Sequence, residues 1–477
     1  MRLHINFSVV LPVYARVALD LQRRYGIEGF SGFVYGRDSL HDLEAIGFPL
    51  EGVRTLTDAL RARGDRDPDM AYLRECERRY GPNLYLMIAG CRFVSGFPHR
   101  RALQVLETGF RLIEGLFDEY RPGAVISDGV ACTLSYIQYA VAKARGVPFL
   151  TIAPARVNGR FYIIRNHRDQ YERVDALFEA YKRNGLPVPQ RAEAAAFIEG
   201  FREAATKPDY FIKLATQPGF DAGALGTLAS LAYRRYVLDR DNYLLAAPHE
   251  AVLSRLTRII KSRLLDRPHF DAPRADEKFV FFPLHFQPEL TTLVLAPHFV
   301  NQVAVIENLA KTLPIDHLLY VKEHKASLGR RPLGYYQAIR RIPNVRLLSP
   351  FLDSHTLIKA ASAVCVISST VGWEALLYEK PVITLGDVCY NAFDLVTHVT
   401  DMTAVAGAIA HAIEQFRPDR DLLEKYVAAM LNGMYEGDVF HPPGERTSPS
   451  LRPDNISRVA DVVAAELSLA PAAGVSA

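Results

Sequence analysis

Ser368, Ser369 and Thr370 stand between an apolar run, Ala363 to Ile367, and a helical pattern that carries Gly372 and Glu374. Hydroxyl side chains at a helix start cap backbone N–H groups, and the same N–H groups with the helix dipole form an anion site. The chemistry this predicts is phosphate binding, with Glu374 about one turn further on, where it would reach ribose hydroxyls. Strand, small polar turn and helix is also the ordinary connector of any α/β protein, so this pattern alone leaves both readings open. A second element adds weight to the ligand reading. Leu318 to Lys322 reads as a buried strand that ends in Glu323-His324-Lys325. In an open parallel sheet ligands bind outside the carboxyl ends of the strands, so Lys322, His324 and the hydroxyl turn would open onto one crevice.

Further candidates sit at other strand ends. Ala124 to Ser127 reads as a short strand ending at Asp128-Gly129, followed by a helix from about Thr133 to Arg145, a C-cap at Gly146 and a strand from Val147 to Ile152. Asp128 therefore occupies the position of a catalytic carboxylate, although capping the next helix is an equal alternative. His285, Gln287 and Glu289 follow the strand Phe279 to Pro283 and, with Gln302, are candidates to face a cleft; a plain loop role is open beside it. Arg156, Asn158 and Arg160 follow the Val147 to Ile152 strand and would suit an anionic acceptor. Tyr136, Tyr139 and Tyr162 could line the same side, but aromatics at helical spacing usually belong to a core. Asp65-Arg66-Asp67-Pro68-Asp69 imitates an Asp-X-Asp metal motif, yet similar triplets recur at 239–241 and 419–421, so a solvated loop is expected and no essential metal.

The elements that must hold these residues alternate apolar strands with helices, the pattern of parallel sheets covered on both faces. With 477 residues and 49% hydrophobic content the chain is expected to build two cores. The expected spans are an N-terminal Rossmann-like acceptor domain at 1–222, a basic helical linker at 223–276, a nucleotide-binding domain at 277–415, C-terminal helices at 416–467 that pack back on the first domain, and a frayed tail at 468–477. Within the linker, Glu250 to Leu265 reads as an amphipathic helix bearing Arg255, Arg258, Lys261 and Arg263. It is either a solvated helix packed on a domain or a docking surface for an anionic membrane or lipid-linked acceptor.

Composition excludes several classes. The 56 basic and 53 acidic residues leave a net charge of +3, and no RNA-binding or zinc-finger signature is present, so no nucleic-acid partner is expected. Five scattered cysteines without metal-ligand spacing suit reduced thiols. No apolar run approaches membrane-spanning length and the N-terminus lacks a signal-peptide core, so a cytoplasmic protein is expected, with peripheral contact with the inner membrane left open.

Two α/β domains with the nucleotide side in the second describe the GT-B glycosyltransferase architecture, Rossmann-like domains facing across a cleft with C-terminal helices crossing back. The stretches Phe281-Phe282-Pro283-Leu284-His285-Phe286-Gln287-Pro288-Glu289, Asn301-Gln302, Val321-Lys322-Glu323-His324 and Thr370-Val371-Gly372-Trp373-Glu374-Ala375 with Lys380-Pro381 resemble the capsular and surface polysaccharide biosynthesis family. The resemblance is strongest over about 277–400 and weaker in the first half, where Asp128-Gly129 and Arg156 to Arg160 carry it.

The best understood members of that family are retaining β-Kdo transferases that use CMP-Kdo, so the resemblance implies transfer of Kdo from CMP-Kdo to a glycan or glycolipid acceptor. It implies that His324 and the Ser368, Ser369 and Thr370 turn contact the donor phosphate and that Glu374 is the helix glutamate, with no cofactor beyond the donor. The family commonly has His-Pro where this chain has His324-Lys325. A CDP-linked glycerol-phosphate-type transferase, a UDP-sugar enzyme such as a 2-epimerase, and a catalytically inactive nucleotide- or glycan-binding scaffold of capsule assembly are the alternatives.

Overall fold

The computed structural model describes residues 1–7, 11–81, 83–168, 170–204, 224–265, 270–441 and 448–471. In chain order its strands are β1 (Arg2–Asn6), β2 (Gly29–Val34), β3 (Val53–Thr55), β4 (Ala124–Ser127), β5 (Phe149–Pro154) and β6 (Arg160–Ile164). These are followed by β7 (Lys278–Pro283), β8 (His317–Lys322), β9 (Val345–Leu348), β10 (Ala363–Val366), β11 (Val382–Thr384), β12 (Val396–His398) and β13 (Tyr435–Glu436). They form two sheets in two compact units: unit 1 comprises Met1–His167, Phe220–Ala251 and Met434–Ala477, and unit 2 comprises Arg168–Gly219 and Val252–Gly433.

The sheet of unit 1 has the order β13-β6-β5-β4-β1-β2-β3. Strands β3 to β5 in that row run parallel, whereas β6 is antiparallel to both β5 and β13. Strand β1 is buried on both faces, as a central parallel strand must be when helices cover both sides. Leu3 and Ile5 join a core with Val17 and Leu21 of the helix Leu11–Tyr25 and with Val459, Ala460 and Val463 of the helix Pro453–Glu466. His4, on the alternate face, lies 4.9 Å from the Phe117 ring of the helix His99–Tyr120.

Unit 2 carries an all-parallel sheet in the order β12-β11-β10-β7-β8-β9. Val280 and Phe282 pack into one core cluster, while Phe279 on the other face stacks on Tyr320 at 3.9 Å. Both sheets therefore show the doubly wound, Rossmann-like α/β plan expected from the alternating runs, with the first and fourth parallel strands side by side at the centre.

The units divide the chain differently from the expected spans. The described residues from 168 to 204, expected in the domain 1–222, fall in unit 2. The helix Glu172–Asn184 buries Phe178 against Tyr426 of the helix Arg420–Gly433 at 5.1 Å, and Phe393 stacks on the same tyrosine at 4.6 Å. The helix Val188–Ala204 joins them through Arg191, which pairs with Asp421 and Glu424. The break expected around 267–278 lies instead at Ala251/Val252, within the helix Pro248–Leu264. The expected C-terminal helices split as well, because Arg420–Gly433 belongs to unit 2 and only Pro453–Glu466 packs on unit 1. Most of the expected tail, residues 472–477, lies outside the described residues. Among the described residues no helix is long and apolar enough to cross a membrane.

Candidate functional site

In the sheet of unit 2 the strand order reverses between β7 and β10, which makes their carboxyl ends the crevice where a doubly wound fold takes its ligand. The loop after β7 presents His285, and the turn after β10 presents Ser368. The Ser368 backbone N–H donates to His285 Nε2 at 3.0 Å, so the neutral ring keeps its proton on Nδ1. Burial pushes the His285 pKa down to about 3, with His324 and Arg331 adding to the effect. This histidine is a neutral acceptor that ties two strand ends, and the expected cleft-facing role gives way to a buried one.

Gln302 grips the same loop from the start of the helix Gln302–Thr312. Its Oε1 accepts the His285 N–H at 2.8 Å and its Nε2 donates to the His285 carbonyl at 3.2 Å, so this candidate is a buried clamp. Gln287 Nε2 donates to the Val300 carbonyl at 2.8 Å, and Glu289 is the N-cap residue of the short helix Leu290–Leu293. Both act on the loop itself.

The hydroxyl turn forms as the local pattern predicts. Ser369 is the N-cap of the helix Thr370–Leu377, accepting the Val371 N–H at 3.2 Å. Ser368 Oγ donates to the Thr291 carbonyl at 2.5 Å, so it fastens the turn to the loop after β7. Ser369, Thr370 and Val371 stay half-exposed at the helix N-terminus. Gly372 is needed for packing: a Cβ there would meet Tyr390 Oη at 2.2 Å, and that hydroxyl donates to the Ser369 carbonyl. The Glu374 carboxylate lies 4.0 Å from His355 Nε2, on the side of the helix Ser354–Ala360.

Beside β7, strand β8 ends in Lys322, Glu323 and His324. Lys322 is buried and its Nζ donates to the Pro350 carbonyl at 3.3 Å. His324 Nδ1 accepts the Ala326 N–H at 3.1 Å, which leaves Nε2 as the protonated nitrogen of the neutral ring. The group that organises this strand end is Glu323, fully buried. Its Oε1 accepts the His324 N–H at 2.6 Å, and its Oε2 accepts from Arg331 Nε at 3.0 Å and Tyr336 Oη at 2.7 Å. Arg331 also donates to the His285 carbonyl at 2.5 Å, linking the loops after β7 and β8. Arg331 and Tyr336 carry no signal in the sequence, since their partners are fixed only by the tertiary fold.

Unit 1 has its own reversal point, between β1 and β4, and Asp128 stands at the carboxyl end of β4 there. Asn6, at the end of β1 and fully buried, donates to Asp128 Oδ1 at 2.9 Å and to Ser127 Oγ at 3.2 Å. Asn6 was not legible as a site residue, because its partner is 122 positions away. Arg156 and Asn158 lie in the hairpin turn between β5 and β6, and Arg160 is the first residue of β6, in register with Glu436 of β13. Tyr139 is a core residue, set edge-on to Phe149 at 5.2 Å, and Tyr162 is fully buried. The Asp-X-Asp imitation is an arginine-paired loop: Asp65 and Asp67 bind Arg100, while Asp69 binds Arg111 and caps the helix Met70–Tyr80.

Residues 296–435 match the family described as capsule polysaccharide biosynthesis protein. That stretch includes Gln302, Lys322, His324 and the whole turn from Ser368 to Glu374, so the resemblance carried by those motifs holds there. Protein FixF of Sinorhizobium fredii (strain NBRC 101917 / NGR234) is 32% identical over 173 residues, which are 35% of this chain and 40% of that protein. The match thus spans two fifths of the length of this curated relative. Among solved structures, the Thermosulfurimonas dismutans KpsC beta Kdo 2,7 transferase is 14% identical and overlaps 74% of this chain and 89% of its own, with a TM-score of 0.33. The UDP-GlcNAc 2-epimerase from Neisseria meningitidis, at 14% identity, overlaps 98% and 100% with a TM-score of 0.24.

Proposed function

We propose that the protein is a nucleotide-sugar-dependent glycosyltransferase of capsular or lipopolysaccharide biosynthesis that transfers Kdo from CMP-Kdo to a glycan or glycolipid acceptor. The observation that carries this reading is the family match at 296–435, which spans both the hydroxyl turn after β10 and the His324 end of β8. A nucleoside monophosphate leaving group bears a charge that a helix N-terminus, hydroxyls and a cation can neutralise without a metal. The proposal assigns that work to Ser369, Thr370, His324 and Lys322, with Ser368 and Gly372 shaping the turn and Glu374 as the helix glutamate of the family. A donor hydrogen bond realised in the transition state contributes roughly 2.7–4 kcal/mol.

Asp128 is assigned the acceptor, as base for its hydroxyl or as the carboxylate nucleophile of a retaining route. Arg156, Asn158 and Arg160 are assigned to an anionic acceptor. A lipid-linked acceptor resides on a bilayer, so the protein would work at the cytoplasmic face of the inner membrane.

Isothermal titration with CMP, CDP, UMP and UDP, repeated with His324→Ala, tests the donor assignment. Selective CMP binding that the substitution weakens supports it, and transfer from CMP-Kdo then follows as the assay. Preference for CDP would indicate a phosphoalcohol transferase and preference for UDP a different sugar enzyme. Binding of none of the four would overturn the enzyme reading in favour of a scaffold.

A further inference from the structure

The helix Pro248–Leu264 leaves an apolar strip in solvent. Leu253 is 65% exposed, Leu256 42%, Ile260 58% and Leu264 55%, and their spacing of three, four and four residues places them along one face. Soluble proteins expose single apolar side chains freely, but four large ones aligned on one helix make a patch. The opposite side is committed to unit 2. Arg258 donates to the Leu328 and Ala326 carbonyls at 3.2 and 3.3 Å, and its own carbonyl lies so close to Gly329 that a Cβ there would meet it at 2.3 Å. Leu265, directly after the helix, is buried in the core that contains Val280 and Phe282. The strip therefore faces outward from a helix pinned on its inner side.

Charge says what would cover it. Residues 252–264 contain Arg255, Arg258, Lys261 and Arg263 and no acidic residue, so this part of the helix carries four positive charges minus none. A second copy laid on the same face would set the cations that edge the strip, Lys261 and Arg263, against their own counterparts, which disfavours a two-fold contact. An apolar stripe edged by lysine and arginine is what an in-plane helix presents to a bilayer with anionic headgroups: the leucines enter the acyl boundary and the cations meet the phosphates.

We propose that the exposed face of this helix is a docking surface for an anionic phospholipid bilayer. It deepens the reading of a membrane-borne acceptor by naming the surface that reaches the membrane, and it is independent of donor identity. The helix rests on the turn that follows His324, since Ala326 offers its carbonyl to Arg258 and its N–H to His324. A bound bilayer would thus lie on the far side of a helix that supports the turn after His324.

The test is co-sedimentation of the full chain with vesicles of phosphatidylcholine alone and of phosphatidylcholine with about one-third phosphatidylglycerol, at about 0.1 M and about 1 M salt. Binding to the anionic vesicles, with little to the neutral ones and loss at high salt, is expected. Combined L253S, L256S, I260S and L264S should lower partition by at least about 100-fold while leaving CMP titration and the circular dichroism spectrum unchanged. K261E with R263E should lower it by at least about 25-fold, at about 5-fold per charge. Failure of the native protein to bind anionic vesicles, equal binding to neutral ones, or a native dimer that the serine variant turns into a monomer would overturn the proposal. Vesicle binding without nucleotide binding would overturn the transferase reading and leave this surface standing.

Discussion

His285 Nε2 accepts the backbone N–H of Ser368 at 3.0 Å, so one buried imidazole holds together the ends of the two central strands of unit 2. The bond requires the neutral ring. In an unfolded chain a histidine takes up its proton near pH 6.5, whereas in the fold His285 does so only near 3. Between those values the unfolded state binds more protons, so the contribution to stability is present above about pH 6.5 and is lost as pH falls toward 3. His285→Gln should therefore flatten the decline of urea stability between about pH 6.5 and 5, by up to about 1.4 kcal/mol per pH unit relative to the native protein. Parallel pH curves for the two proteins would contradict the neutral-acceptor role.

Glu323 and Arg331 form a buried pair whose removal on one side leaves a charge without its counterpart. Arg331→Met should lower unfolding stability by about 3–5 kcal/mol. Glu323→Gln should also weaken CMP binding, since Glu323 Oε1 holds the His324 N–H. Urea titration and calorimetry on the same samples separate the two effects; a variant as stable as the native protein would show that the pair is dispensable.

Gly372 offers a steric test. A methyl group there collides with Tyr390, so Gly372→Ala should cost about 1–3 kcal/mol and displace the Ser369 turn. Tyr390→Ala makes room, and the double variant should be less destabilised than the sum of the two single changes. Strict additivity in thermal melts would rule out the contact.

On the acceptor side, Asp128→Asn should reduce sugar transfer by at least about 100-fold with CMP affinity unchanged. Asn6→Ala, which removes the donor to Asp128 Oδ1, should reduce transfer less, by about 10-fold, because the carboxylate loses the hydrogen bond that orients it. Full activity of Asp128→Asn would remove it from the mechanism.

What the sequence disclosed was what is local. Strands β4, β7, β8 and β10 are short apolar runs bounded by turn residues, and Ser369 caps its helix through a partner two positions away. What it concealed depends on contacts across the fold. Arg331 reaches the His285 carbonyl over 46 positions, and Asn6 reaches Asp128 over 122. Phe178 looks like any amphipathic-helix phenylalanine until Tyr426 lies against it, so chain order alone groups residues 168–204 with the strands before them while their contacts lie in unit 2. His285 shows the same limit in chemistry: a histidine at a strand mouth suggests a ligand contact, and only the position of the Ser368 N–H reveals a neutral brace.

The closing of unit 1 by its last helix sets a timetable for synthesis. Arg24 of the helix Leu11–Tyr25 meets Asp461 across 437 positions, and Val459, Ala460 and Val463 complete the core beside Val17 and Leu21. At about 5–20 residues per second the ribosome needs roughly 20–90 s between making the two partners. For that interval the part of the early helix that Val459, Ala460 and Val463 cover stays open on the nascent chain, exposed to chaperones and to aggregation.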